Sequence, residues 1–138
     1  VIGGDQLLPS ISPNLGVYPS EPDADPVSDW IQSCEKFQAF AEPNQLVLGG
    51  HKLPFTGLPT RLTQLIDNHH GALKRLLAHL AEPRSAGECF IPLFKRNISG
   101  GEYGLALVEA VAHLNHLHQS GLATRTLRND GAWVFQAV

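Results

Sequence analysis

The chain has 138 residues, of which 43% are hydrophobic and 17% charged, and a formal net charge of −3. That length fits one ordinary domain or two small ones, and the apolar content is too high for a disordered chain. No apolar run approaches the ~20 residues of a helical membrane span, and the near-neutral charge lacks the strong basic patch of a nucleic-acid module.

The sequence opens on Val1-Ile2, contains no Met and shows no signal-peptide pattern. The expectation is a piece of a longer cytoplasmic protein whose first residue lies inside a folded domain. Val1–Gly3 reads as the end of a buried strand, and Gly3-Gly4-Asp5 turns the backbone. Residues 7–26 form a long loop with five prolines, a length that is usually functional or packed as a lid. Asp25-Pro26 is a helix start, and Val27, Trp30, Ile31, Cys34, Phe37 and Phe40 follow at helical spacing. Trp30, Phe37 and Phe40 are expected as buried anchors. Gln45–Leu48 reads as a short strand closed by Gly49-Gly50-His51.

Pro59 opens a long amphipathic helix to about Glu82, where Pro83 stops it. Ser85-x-x-Glu88 is a capping box for a short helix to about Asn97, shortened by Pro92. A third helix spans Glu102 to about Gln119. Its expected inward lines are Leu105, Val108, Ala112 and Asn115, or Leu107, Val111 and Leu114. Leu122–Arg128 and Ala132–Val138 read as strands joined through Asn129-Asp130-Gly131, a hairpin signal. Lys74-Arg75, Arg84 and Lys95-Arg96 read as solvated faces. Cys34 and Cys89 do not make a disulfide framework and read as free thiols of a reducing compartment.

Charge divides the chain at the same place as the elements. Residues 1–58 hold two basic and seven acidic residues, and residues 59–138 hold eight basic and six acidic. Asp5 and His51 each follow a strand end behind glycines, where sheets commonly present ligands. A carboxylate and an imidazole suit zinc, but a catalytic zinc site needs three protein ligands. Turn-capping for Asp5 and a loop histidine for His51 stay open on spacing alone. His69, His70, His113, His116 and His118 lie on helices among leucines and read mainly as hydrogen-bonded packing residues.

Gly-Gly-Asp-Gln-Leu-Leu-Pro (3–9), Ile-Ser-Pro-Asn (11–14), Glu-Pro-Asp-Ala-Asp-Pro (21–26) and Leu-Val-Leu-Gly-Gly-His (46–51) resemble the later part of a metallo-β-lactamase-fold hydrolase. Arg61 with Leu65-Ile66-Asp67-Asn68-His69-His70 continues the likeness. So does Ala112-His113-Leu114-Asn115-His116-Leu117 with Gly121, in the winged-helix extension of the lactamase-like and glyoxalase-II-like subgroup. The resemblance implies an α+β chain. Residues 1–58 would be a partial αββα domain with strand-helix-strand order, and residues 59–138 a mainly helical winged-helix-like domain.

The resemblance also implies that Asp5 bridges two zinc ions and that His51 completes the second. The intact protein would then open an ester or thioester with metal-activated water. This chain lacks the family's His-x-His-x-Asp-His cluster, so the fragment is expected to hold zinc weakly or not at all and to be inactive. Gly49 stands where Pro is usual, and Lys52 where Gly is common. Lys52, His69 and His70 are candidates for the substrate cleft or a domain interface. A helix of residues 102–119 without Arg or Lys argues against reading duplex DNA. A non-enzymatic winged-helix module that contacts nucleic acid, or an RNA-cleaving relative, is the alternative. Surface left bare by a missing half is expected to drive self-association as a homodimer.

Overall fold

A computed structural model describes all residues, Val1–Val138. The elements, in order, are β1 (Ile2–Gly4), α1 (Pro26–Gln38), β2 (Leu48–Gly49), α2 (Leu58–His79), β3 (Arg84–Ser85), α3 (Phe90–Phe94), α4 (Tyr103–Gln119), β4 (Ala123–Leu127) and β5 (Trp133–Ala137). The fold is therefore a mixed α+β one. Its strands form a parallel pair, β1-β2, and an antiparallel sheet in the order β3-β5-β4. No helix is long and apolar enough to cross a membrane. The chain forms two compact units, residues 1–14 with 28–69 and residues 15–27 with 70–138. Part of the Pro-rich loop, 15–27, belongs to the second unit, and α2 carries the chain from one unit into the other.

Helix α1 starts at Pro26, as the Asp-Pro pair predicts, because the ring fixes φ for a first helical turn, and from Ser28 onward it belongs to the first unit. Leu7, Leu8, Val47, Leu58 and Leu62 are fully buried or nearly so. Arg61 fastens the loop by donating from Nε to the Leu8 carbonyl (2.7 Å) and from Nη2 to the Ile11 carbonyl (3.0 Å). Trp30 is buried against His69, with ring centroids 4.8 Å apart. Phe37 and Phe40 differ from expectation. Helix α1 ends at Gln38, Phe37 is partly exposed, and Phe40 sits in the following turn at 76% exposure. The helical period that placed Phe40 on the apolar face no longer applies past the last turn.

In the second unit, Ser85 and Glu88 form the predicted capping box. It caps a 3-10 turn over Ala86–Glu88, and α3 is only five residues long. Ser85 N donates to the Glu88 carboxylate at 2.8 Å, and the bonds from Ser85 hold that carboxyl below its ordinary pKa. Pro92 lies inside α3, and Lys95 ends it in a left-handed conformation. The hairpin β4-β5 forms around Asn129-Asp130-Gly131, with Gly131 at φ +86° and Arg128 N donating to the Ala132 carbonyl at 2.8 Å. The bidentate Arg128 pair and the Ala132 amide hold the Asp130 carboxyl down at about 2.

Helix α4 corrects the sequence reading. Its buried side chains are Ala106, Ala110, Ala112, His113, Leu114, Asn115 and Leu117, while Leu105 is 58% exposed. From the expected inward lines Ala112, Asn115 and Leu114 are buried, whereas Leu105 is not, and Ala106, Ala110, His113 and Leu117 complete the buried face. The basic pairs are also more engaged than solvated faces. Arg75 Nε donates to the Pro92 carbonyl in α3 (2.9 Å), Arg96 pairs with Glu102 (2.7 Å), and Arg84 Nε is buried.

The helical histidines are hydrogen-bonded. His113 Nδ1 lies 2.8 Å from the Glu109 carbonyl, His116 Nδ1 lies 3.0 Å from Asp25, and His118 Nδ1 lies 3.0 Å from the Ala123 carbonyl. Burial pushes the His113 pKa below its ordinary value of 6.5. The unfolded chain therefore takes up a proton near pH 6.5 that the folded chain refuses. Stability is expected to fall as pH drops below about 6.5, by at most about 1.4 kcal/mol per pH unit from this group. Urea midpoints at pH 7.5 and 5.0 test this, and His113→Gln should flatten the dependence. An equally steep profile in the variant would refute it.

Cys34 and Cys89 are fully buried and unpaired with each other. Burial raises their thiol pKa values to about 11 and about 12, so both stay neutral thiols at physiological pH.

Candidate metal centre

Parallel pairing builds the centre. Ile2 stands opposite Leu48 and Gly4 opposite Gly49, and Gly50 N donates to the Gly4 carbonyl at 2.7 Å. Paired parallel strands end at the same edge, so the residues that follow them, Asp5 and His51, emerge side by side. Asp5 Oδ1 lies 3.6 Å from His51 Nε2, and both side chains are more than 60% exposed. A Cβ at Gly50 would meet the Asp5 carboxylate oxygen, the far end of an exposed side chain, so a larger residue there would push Asp5 aside and away from His51. In the sequence, the glycines before Asp5 and His51 signal only turns.

The pair is too far apart for a direct hydrogen bond. It does fit adjacent corners of one coordination sphere, since two donors at zinc-bond length on a tetrahedral ion stand about 3.3 Å apart. No group of three or more His, Cys, Asp or Glu side chains is gathered here or elsewhere in the chain. A carboxylate and an imidazole are donor types that suit a metal, and two such donors alone fall short of a zinc site.

Lys52, the next residue, is exposed and has φ +70°. A side chain in that region is strained by contact of Cβ with its own backbone. Lys52→Gly is therefore expected to stabilise the first unit by about 1 kcal/mol, readable as a raised urea midpoint. An unchanged or lowered midpoint would count against the strain. His69 is buried on Trp30 in the first unit, and His70, the next residue of α2, falls in the second unit and is exposed.

Residues 73–138 match the family model of the metallo-beta-lactamase-like, C-terminal domain. No curated protein matches the chain. Among solved structures, the chain is similar to a beta-lactamase domain protein from Burkholderia ambifaria, with a TM-score of 0.93 and 34% identity over 99% of this chain and 41% of that one. It is also similar to a metallo-beta-lactamase family protein from Thermus thermophilus, with a TM-score of 0.82 and 26% identity over 99% of this chain and 41% of that one. The chain spans well under half the length of either neighbour. Residues 73–138 therefore carry the match to a metallo-beta-lactamase-like C-terminal domain, and the α+β fold of the whole chain is shared with metallo-beta-lactamase proteins.

Proposed function

We propose that this chain is the C-terminal portion of a metal-dependent hydrolase of the metallo-β-lactamase superfamily that opens an ester or thioester. The observation that carries the reading is the approach of Asp5 Oδ1 and His51 Nε2 to 3.6 Å at the ends of paired parallel strands. The 34% identity across 99% of the chain to a beta-lactamase domain protein supports it. So does the bare parallel pair in the first unit, where Ile2 is 90% exposed. Parallel sheets are normally covered on both faces, and two strands alone are marginal.

In this reading Asp5 and His51 hold part of a two-zinc site. A metal there supplies Lewis acidity and lowers the pKa of water. The carboxylate binds and neutralises, the imidazole supplies its Nε2 lone pair, and the Lys52 ammonium steers an anionic substrate toward them. The 138 residues alone bind zinc weakly, because two donors fall short of a site. Residues of the second unit form a winged-helix-like extension built on α2, α3, α4 and the β3-β5-β4 sheet. The chain works in the cytoplasm, where Cys34 and Cys89 stay reduced, and it self-associates as a dimer through its exposed apolar residues.

Calorimetric titration is expected to give weaker than micromolar zinc affinity for the 138 residues. Sub-micromolar affinity abolished in Asp5→Ala would overturn the weak-binding part. In a protein that carries this chain behind an upstream half-domain, elemental analysis is expected to find two zinc ions together with thioester hydrolysis. Asp5→Ala and His51→Ala should each lose both metal and hydrolysis. Full zinc content in both variants would sink the site assignment, and metal without hydrolysis would sink the activity. Light scattering that gives a clean monomer would refute the dimer.

A further inference from the structure

Helix α4 is apolar on more faces than the core needs. Its span holds no Lys or Arg and one carboxylate, Glu109. Beside the buried face, Leu107, Val108 and Val111 line a cavity of about 580 Å³ within the second unit. The other walls are the segment 17–23 and the sheet, with Trp133 and Phe135 contributing rings. The volume lies in the range of small-molecule sites, and the lining of aliphatic and aromatic side chains has the composition of one.

The segment around residues 17–24 is tied to α4 at several points. Val17 N donates to the Val108 carbonyl at 3.1 Å. Asn115 Nδ2 donates to the Pro22 and Ala24 carbonyls at 2.9 and 3.1 Å, and Gln119 Nε2 donates to the Asp23 carbonyl at 2.6 Å. A wall fixed this way keeps the cavity open without an occupant, which lowers the ordering cost of binding. Apolar lining around an open volume forgoes dispersion contacts that an apolar guest would restore.

Charge selects the guest. The only charged side chains lining the cavity are Arg125 and Asp23, and they pair with each other at 2.9 Å. The Arg125 guanidinium also lies over the Trp133 ring, 4.7 Å from its centroid. Their fields cancel at the cavity. A charged guest would lose hydration and find no free counter-charge.

We propose that the second unit holds a small-molecule site of its own, between segment 17–23, α4 and the sheet, which takes a neutral, predominantly apolar molecule. The site is independent of Asp5 and His51. Trp133 reports on it directly, and Trp30→Phe leaves Trp133 as the single tryptophan of the chain.

The test is titration of that variant with N-phenyl-1-naphthylamine, a neutral apolar dye that accepts energy from tryptophan. Saturable quenching of Trp133 is expected, with one dye per chain and a dissociation constant of about 10 μM. Val111→Trp, read by dye emission, should weaken binding at least about tenfold by filling the cavity, with unchanged far-ultraviolet circular dichroism. If Val111→Trp does not fold, Ala132→Trp on the sheet side serves the same purpose. The anionic dye 8-anilinonaphthalene-1-sulfonate should bind at least about tenfold more weakly than the neutral one. Absence of saturable quenching, or binding unchanged in both filling variants, would overturn the site. Equal or tighter binding of the anionic dye would overturn the neutral ligand class. Dye binding only on dissociation of a dimer would overturn the small-molecule reading and show that a second copy occupies the cavity.

Discussion

Trp30→Ala is expected to destabilise the first unit by about 3–5 kcal/mol, the range for emptying a large aromatic site in a packed core. Trp30 is 5% exposed and packs on His69, so truncation leaves both a void and an uncovered imidazole face. Trp30→Phe should behave differently. The Trp30 Nε1 donor is buried without an acceptor, and an unsatisfied buried donor costs about 1–3 kcal/mol. Phenylalanine removes that donor and keeps most of the ring. The two effects offset, and the net change is expected to be within about 1.5 kcal/mol. Urea denaturation followed by circular dichroism separates the two variants. A Phe variant as unstable as the Ala variant would show that the indole N–H is satisfied after all.

The second large effect falls on Asn115, which is 2% exposed and joins α4 to carbonyls more than 90 residues earlier. Asn115→Ala removes two donated bonds, each worth about 1 kcal/mol, and water can reach the exposed Pro22 carbonyl afterwards. A loss of about 2 kcal/mol is expected. Asn115→Asp should cost more, about 3–5 kcal/mol, because an uncompensated buried carboxylate would face two carbonyl oxygens. Limited proteolysis supplies a second readout, with cleavage within residues 18–25 rising in both variants before global unfolding. Equal stability of the Asp and Ala variants would refute the donor assignment.

The candidate metal centre was legible in residue type but not in geometry. Gly-Gly-Asp and Gly-Gly-His announce two turns with a carboxylate and an imidazole after them. Nothing local says that the two turns adjoin. Their approach needs β1 and β2 to pair in parallel across more than 40 residues, a register that hydrogen bonds between distant strands decide. Lys52 shows the converse. Its identity gives no hint of strain, and only the backbone angle of +70° explains why glycine would suit that position.

The features legible along the chain share a short reach. The Asp25-Pro26 start of α1, the Ser85–Glu88 box and the Asn129-Asp130-Gly131 hairpin all act within four residues, so their chemistry is complete in the local chain. Helices α2 and α4 followed from apolar spacing for the same reason. The tertiary structure decided everything that depends on what meets an element from afar. It buried Ala106, Ala110, His113 and Leu117 on α4 and left Leu105 in solvent, because which side chains are covered depends on the elements that pack against the helix. It recruited Arg84–Ser85 as a third strand beside β5, although two residues carry no strand pattern of their own. It assigned residues 15–27 to the second unit through bonds from Asn115, Gln119 and Arg125. Composition bounded the chain to one or two small domains. The division into these two units came from packing, because burial is a property of neighbours rather than of order along the chain.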